Sequence, residues 1–384
     1  MAIPGGKGHV EGTGVVDLNS ELQRKKWLVQ GLVQKQSQSF WAPYKGNSDK
    51  SIIFQVQKDF NDNNHVVFDY DGNLTGKPVV GKETAFGKGE QKRKFSDNLK
   101  TERLRFTVSN GDKFDGAKIG DNKINEHSDS VSKLGDLWIR VSDQACFDTL
   151  QQSAEFIIDL GTNFTLDSIL DVGTKIKTGR GFTTTPAGIT TRMPLKPFML
   201  ANGEEVYLCV IDSFMKQKFL SSTGAQTLLA QMDVRGNNSR LIRGVLGKID
   251  NLLFVEAGTF FGESSGSLLD ADGYYNFAST NVEIAGLRQK DAAGKWTGEQ
   301  GFNGNATLTS RALILGQNAL QLGISKAPDY KFQASQDFGI TSESCLEIWT
   351  GLKASKLYDE NIDYTMAKVA GYNYGVIGLD CKVK

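Results

Sequence analysis

A mixed α+β protein with more than one core is the architecture this sequence predicts, and three observations carry it. The chain has 384 residues, 39% of them hydrophobic and 10% aromatic, enough to fill about two or three cores. Period-two alternation and helical three- and four-residue spacing take turns along it, with no internal repeat. Forty-two glycines stand beside only seven prolines, so tight turns and extended segments should be frequent and no proline-rich linker marks a domain boundary.

Residues 1–16 are Gly-rich and weakly patterned, which predicts a flexible arm. From Asp17, DLNSELQRKKWLVQGLVQKQ places Leu18, Leu22, Val29, Leu32 and Val33 mostly three or four residues apart, with Asp17 or Ser20 available as an N-cap, so a helix is expected. Its Arg24, Lys25, Lys26 cluster reads either as a solvated helix face or as a phosphate contact. In the next block Ile52, Phe54 and Val56 alternate, NDNN turns and HVVFDY returns, which together predict a β-hairpin.

Residues 72–95 hold five glycines and six Lys or Arg against two Glu, with few large apolar groups. Such a stretch cannot bury a core of its own; it is either a disordered loop or a long extended arm whose partners lie on another chain. Leu104, Phe106 and Val108 then resume a strand. Residues 133–156 carry the clearest helical pattern, with Leu134, Leu137, Trp138, Val141 and Ala145 on one face. Beyond it, NFTLDSILDVGTKI, VYLCVIDSFMKQKFLSS and TGAQTLLAQM alternate strand-like and helix-like patterns, and TLTSRALILGQNALQLGISK predicts one further helix. DYKFQASQDFG, CLEIWTGLKASKLY and YNYGVIGLDCKVK return to alternating strands.

Several function classes are argued against by what these residues lack. Forty-four Lys plus Arg balance 44 Asp plus Glu, which removes the strong basic footprint of a DNA-binding protein and leaves only local, weak nucleic-acid contact. Cys146, Cys209, Cys345 and Cys381 lie far apart with no C-x-x-C pair, so they read as small buried hydrophobes in a reducing compartment rather than as a metal site. No apolar run approaches membrane-spanning length and the N-terminus has no apolar leader core, which predicts a soluble, cytoplasmic protein.

Gly262-Glu263-Ser264-Ser265-Gly266 matches the G-x-S-x-G nucleophile elbow and follows the apolar run 252–255. An elbow serine needs an imidazole base later in the chain, yet His9, His65 and His127 all precede Ser264, and the following SLLDADGYYN breaks at Asp270 and Gly273. The stretch therefore reads as a turn. GVLGKID and GTKIKTGRG both lack the Lys-Ser/Thr pair of a phosphate-binding loop. Around Asp270 and Asp272, a calcium-loop alignment puts Leu268 first and Ser279 last, so a turn is expected there, with a looser cation site as the alternative. No catalytic, metal-ligating or cofactor-binding residue is nominated, and an enzyme is not expected.

Read together and in order, several segments resemble a known family. They are SFWAPYKGNSDKSIIFQVQKDF with HVVFDYDGNLTG, RGNNSRLIRGVLGKIDNLLFVEAG, SRALILGQNALQLGIS, the pair QDFGI and IWTGLKASKLY, and YGVIGLD. They are similar to blocks of the tailed-phage major capsid proteins grouped around an N-four-like coliphage podovirus, over residues 40–381. The resemblance implies the Hong Kong 97-type capsid fold, with an N-terminal arm and helix at 1–40 and an extended-loop hairpin region at 41–110. A peripheral domain with a spine helix at 111–160, an axial domain at 161–325 and peripheral return strands at 326–384 would follow.

It further implies a virion shell subunit, made and assembled in the host bacterial cytoplasm, that forms hexamers and pentamers and meets portal and decoration or scaffold proteins. The enclosed double-stranded DNA would be touched non-specifically, and no membrane or cofactor is implied. Another virion component, of the tail or a decoration protein, is the competing reading. Trp27, Trp41, Tyr44, Lys77, Lys82, Phe86 and Lys88 are the expected inter-subunit contacts. The isopeptide crosslink of the fold's namesake has no matching motif here and is left unassigned.

Overall fold

The computed structural model describes residues 39–382 except 49, 58–64, 72–73, 75, 93, 113–117, 120–121, 124–125, 187–188, 201–202, 223–244, 258–267, 279–308, 337–340 and 358–371. The predicted helix beginning at Asp17, the TGAQTLLAQM segment and Ser264 lie outside the described residues. The chain turns first through a 3-10 helix, Ala42–Tyr44, whose start is preset by the fixed φ of Pro43.

The elements then follow in order. Strands β1 (Lys45–Gly46) and β2 (Ile53–Gln57) precede β3 (His65–Asp71) and β4 (Lys94–Lys100), then β5 (Glu102–Asp112) and the short pair β6 (Lys118–Ile119) and β7 (Asn122–Lys123). A 27-residue helix, α1 (Glu126–Gln152), leads to β8 (Ile157–Asp159) and α2 (Leu166–Thr178). Strands β9 (Phe198–Met199) and β10 (Glu205–Ile211), helix α3 (Ser213–Ser221), and strands β11 (Val245–Ile249) and β12 (Leu252–Glu256) come next. The chain closes with β13 (Thr309–Leu315), β14 (Leu320–Gln336), β15 (Thr341–Ala354), β16 (Lys356–Leu357), β17 (Tyr372–Asn373) and β18 (Val376–Lys382).

Local chemistry sets the helix ends. Thr165 and Ser168 form a reciprocal capping box at the start of α2, and Gly179, at φ 67°, closes it in the left-handed conformation. Asp212 caps α3 by accepting from the Met215 N–H at 2.7 Å. The 133–156 helical pattern is realised, but α1 starts earlier and stops at Gln152.

Two main sheets result. A five-stranded sheet runs β1-β2-β14-β15-β5, and a seven-stranded sheet runs β11-β12-β10-β13-β18-β8 with β9 added beside β10. One face of the seven-stranded sheet, including Leu208, Leu313 and Val376, shares a core with Ile53, Leu320 and Leu352 of the other sheet and with Phe147 and Leu150 of α1. Its opposite face, including Cys209, Ile314 and Ile377, packs on Ile169, Val172 and Ile176 of α2 and Met215 and Phe219 of α3. With both faces covered, β10 reads EVYLCVI and is buried from Val206 to Ile211. The first half of α1 lies instead on the long β5–β15–β14 ribbon, where Leu134 meets Leu346 and Ile348.

Two expectations are corrected. The segments 52–57 and 65–70 do not pair as a hairpin: β2 lies parallel to β14, with Ile53 opposite Leu320, and β3 pairs with β4 in a hairpin that encloses the Gly/Lys stretch. TLTSRALILGQNALQLGISK forms no helix but the strands β13 and β14, turned through Gly316 and Asn318, the latter at φ 50°. Ala312, Leu313, Ile314 and Leu315 are consecutively buried because β13 is central and covered on both faces, so its apolar run carries no period to separate strand from helix.

One buried cation ties the late strands to the middle of the chain. Arg192 lies over the rings of Phe156 (4.9 Å), Tyr374 (5.6 Å) and Tyr372 (5.7 Å), and donates to the carbonyls of Val376 at 3.2 Å and of Tyr374. Burial pulls its guanidinium down to about 10, an electrostatic cost that the bonds and ring faces offset.

Candidate assembly surface

The β3–β4 hairpin is firmly rooted and barely covered beyond its root. In β4, Leu99 is fully buried beside Phe54, Val56 and Tyr274. The Asp97 carboxylate pairs at 2.6 Å with Lys353 of β15, both side chains being buried. Lys353 also lies 4.9 Å from the centre of the Tyr274 ring, and the Tyr274 hydroxyl donates to the Asn98 carbonyl at 2.8 Å. Gly351 allows the crossing, since a Cβ there would overlap the Lys100 carbonyl. Buried Thr101 completes the root with a 2.5 Å hydroxyl contact to Ser325.

Past this root the contacts are local and polar. Lys88 pairs with Glu83, and the Gly76 N–H donates to Glu90, each at 2.5 Å. Lys77, Lys82 and Lys88 are exposed, Val80 is 77% exposed and Phe86 95% exposed. Among the described residues Val80 and Phe86 are the two most exposed large apolar side chains. These four predicted contact residues, Lys77, Lys82, Phe86 and Lys88, are thus brought onto one accessible loop.

The other predicted contacts are placed differently. Trp41 and Tyr44 are corrected to core residues: Trp41 is 0% exposed, and its ring lies 4.8 Å from that of Phe147. The turn imposed by Pro43 folds both aromatics inward, leaving them no surface to offer a neighbour. Burial pushes the Tyr44 phenol up. The segment is pinned to α1 by Asp143, which accepts from the Phe40 N–H at 2.7 Å and from the Ser39 hydroxyl, and whose carboxyl burial pushes up. Trp27 and the Arg24–Lys26 cluster lie outside the described residues.

A second charged feature was not visible in the sequence. Glu347 of β15 is bonded to Lys331 of β14 at 2.7 Å and to Arg103 of β5, with Lys326 at 3.9 Å. These cations, Lys331 first, hold its carboxyl at about 2. Only the cross-strand register places these four residues together, and local spacing carries no signal for it. Asp270 is a turn residue, its carboxylate accepting from the N–H groups of Asp272 at 3.0 Å and Tyr274 at 2.8 Å. Among the described residues no helix is long and apolar enough to cross a membrane, and no group of His, Cys, Asp or Glu is placed to hold a metal ion.

Comparison with known proteins bears on the fold. The phage capsid protein family matches residues 15–151. No curated protein matches the chain. Among solved structures, the capsid of Ralstonia phage GP4 is similar at 17% identity and a TM-score of 0.65, covering 96% of this chain and 98% of that one. The head of Helicobacter pylori bacteriophage KHP40 is similar at 16% identity and a TM-score of 0.67, covering 93% of each chain. The capsid of cyanophage Pam1 is similar at 12% identity and a TM-score of 0.61, covering 96% of this chain and 99% of that one. At such identities the likeness establishes the fold, which spans nearly the whole of each chain.

Proposed function

We propose that the chain is the major capsid protein of a tailed bacteriophage, self-assembling as hexamers and pentamers into an icosahedral shell around double-stranded DNA. The observation that carries this reading is a capsid fold over nearly the whole chain, joined to a hairpin loop that is exposed from Gly81 to Lys92. The mechanism is geometric: one fold repeats through similar contacts, and stability comes from the surfaces that copies bury against each other.

In the finer reading the fold is of the Hong Kong 97 type and the protein stands near the N-four-like podoviruses. Residues 1–40 are the arm, 41–110 the extended-loop region, 111–160 the spine-helix part of the peripheral domain, 161–325 the axial domain and 326–384 the return strands. The subunit has no catalytic task. It assembles in the host cytoplasm, meets portal, scaffold or decoration proteins, and touches the enclosed DNA without sequence preference, in keeping with a net charge of zero. Electron microscopy of the purified protein tests this: closed icosahedral particles are expected, whereas open tubes alone or a persistent monomer overturn it.

A further inference from the structure

A cleft of about 160 Å³ opens beside the root of the β3–β4 hairpin. Tyr274, Tyr275, Phe277 and Leu352 line one part of it, and Lys100, Glu102, Asp270, Asn276 and Thr350 make the rest polar. Its size is that of a benzene ring, and its tyrosine and phenylalanine faces can meet such a ring edge-on or offset. The most exposed large apolar side chain among the described residues is Phe86, 95% exposed.

We propose that this cleft receives Phe86 of a neighbouring copy, so that the loop of each subunit is seated at the hairpin root of the next. The inference rests on the shell reading and specifies the partner surface for that loop. Charge supports it. Residues 76–92 carry four lysines against two glutamates, whereas the cleft mouth carries Glu102, Asp270 and Asp272 against Lys100 and Lys356. The loop can also leave its own subunit. The ten residues between Phe86 and the Asp97 anchor span up to ~36 Å when extended, beyond the ~21 Å radius of gyration expected for a compact chain of this length. Loop and cleft are different surfaces, so the contact is head-to-tail, and repeated around an axis it closes into a ring. Asp97–Lys353 and the Tyr274–Asn98 bond build cleft and hairpin root together, so a seated neighbour also braces the next loop outward.

The test is a cysteine pair, Ala85→Cys with Asn276→Cys, which leaves Phe86 in place and sets one thiol beside it and one at the cleft. Assembled particles, mildly oxidised and run on a non-reducing gel, are expected to give a ladder ending at five and six covalently joined copies, while either single variant runs as a monomer. Phe86→Ala in the otherwise unmodified chain is expected to raise the protein concentration needed for assembly about tenfold or more, as for a buried aromatic anchor at an interface. Closed particles that show no ladder, or an unchanged threshold in Phe86→Ala, overturn the cleft assignment and leave the shell reading standing. If the unmodified protein forms no closed particles at all, both fall.

Discussion

The seven-stranded sheet and the β3–β4 hairpin are both largely antiparallel, yet only the sheet is complete. In the sheet, β10 and β13 are covered on both faces by α1, α2, α3 and the second sheet. In the hairpin, Asp97 and Leu99 of β4 are buried among the residues whose side chains are described, and the stretch from Gly81 to Lys92 lies open. The difference is composition. EVYLCVI carries enough apolar area to offset the entropy of ordering it, and GKETAFGKGEQK does not. A region that cannot stabilise itself and stays open on its own subunit is where the proposed contacts between copies would fall.

The strongest challenge to this contrast is a change at the edge of the complete region. Trp41→Ala should lower the unfolding free energy of the isolated subunit by about 3–5 kcal/mol. Urea titration of the monomer measures it, and an unchanged midpoint would remove Trp41 from the shared core. At the boundary between the regions, Lys353→Met strands the buried Asp97 carboxylate and should cost about 3 kcal/mol. The double change Lys353→Met with Asp97→Leu should recover much of that, and a double variant as weak as the single one would show that packing, not charge, anchors the hairpin.

A smaller effect is expected on the ribbon. The Glu347 carboxyl is held at about 2, whereas an unfolded glutamate titrates near ~4.3. A depressed folded value stabilises above the unfolded one, so the contribution is intact near neutral pH and fades as pH falls through ~4 towards 2. Denaturation midpoints at pH 7, 4 and 3 should therefore decline less in Glu347→Gln than in the unmodified chain; parallel declines would place the acid sensitivity elsewhere. The smallest effect belongs to the open loop: deleting residues 78–92 should leave monomer stability within ~0.5 kcal/mol while abolishing assembly. Loss of the cooperative unfolding transition would instead make the loop part of the core.

Much of this contrast is legible in the sequence, because it is local. The amphipathic stripe of α1, the alternation of Leu104, Phe106 and Val108, and the glycine- and lysine-rich loop all announce themselves within a dozen residues. What stays hidden depends on partners distant in the chain. Ile53 finds Leu320, Arg103 finds Glu347, and Asp97 finds Lys353, and no spacing rule reaches so far. The misread SRALIL shows the same limit, since burial on both faces erases the period that would have identified a strand. Trp41 and Tyr44 show it in another way: an aromatic cluster reads alike whether it faces a neighbour or its own core, and only the inward turn at Pro43 decides.

The position of β18 bears on when a subunit becomes competent. It lies between β13 and β8, with Ile377 opposite Ile314 and Gly378 opposite Ile157. During synthesis β13 and the edge strand β8 wait with an open slot between them, and the closure of β18 onto β8 spans more than two hundred residues before any gain from filling it. A ribosome-bound chain thus exposes its loop before its core has closed, at a stage when sticky edges favour misassembly. The sheet is therefore continuous only once residues 376–382 have been made and have paired on both sides, which puts the last step of this core at the last strand of the chain's described order.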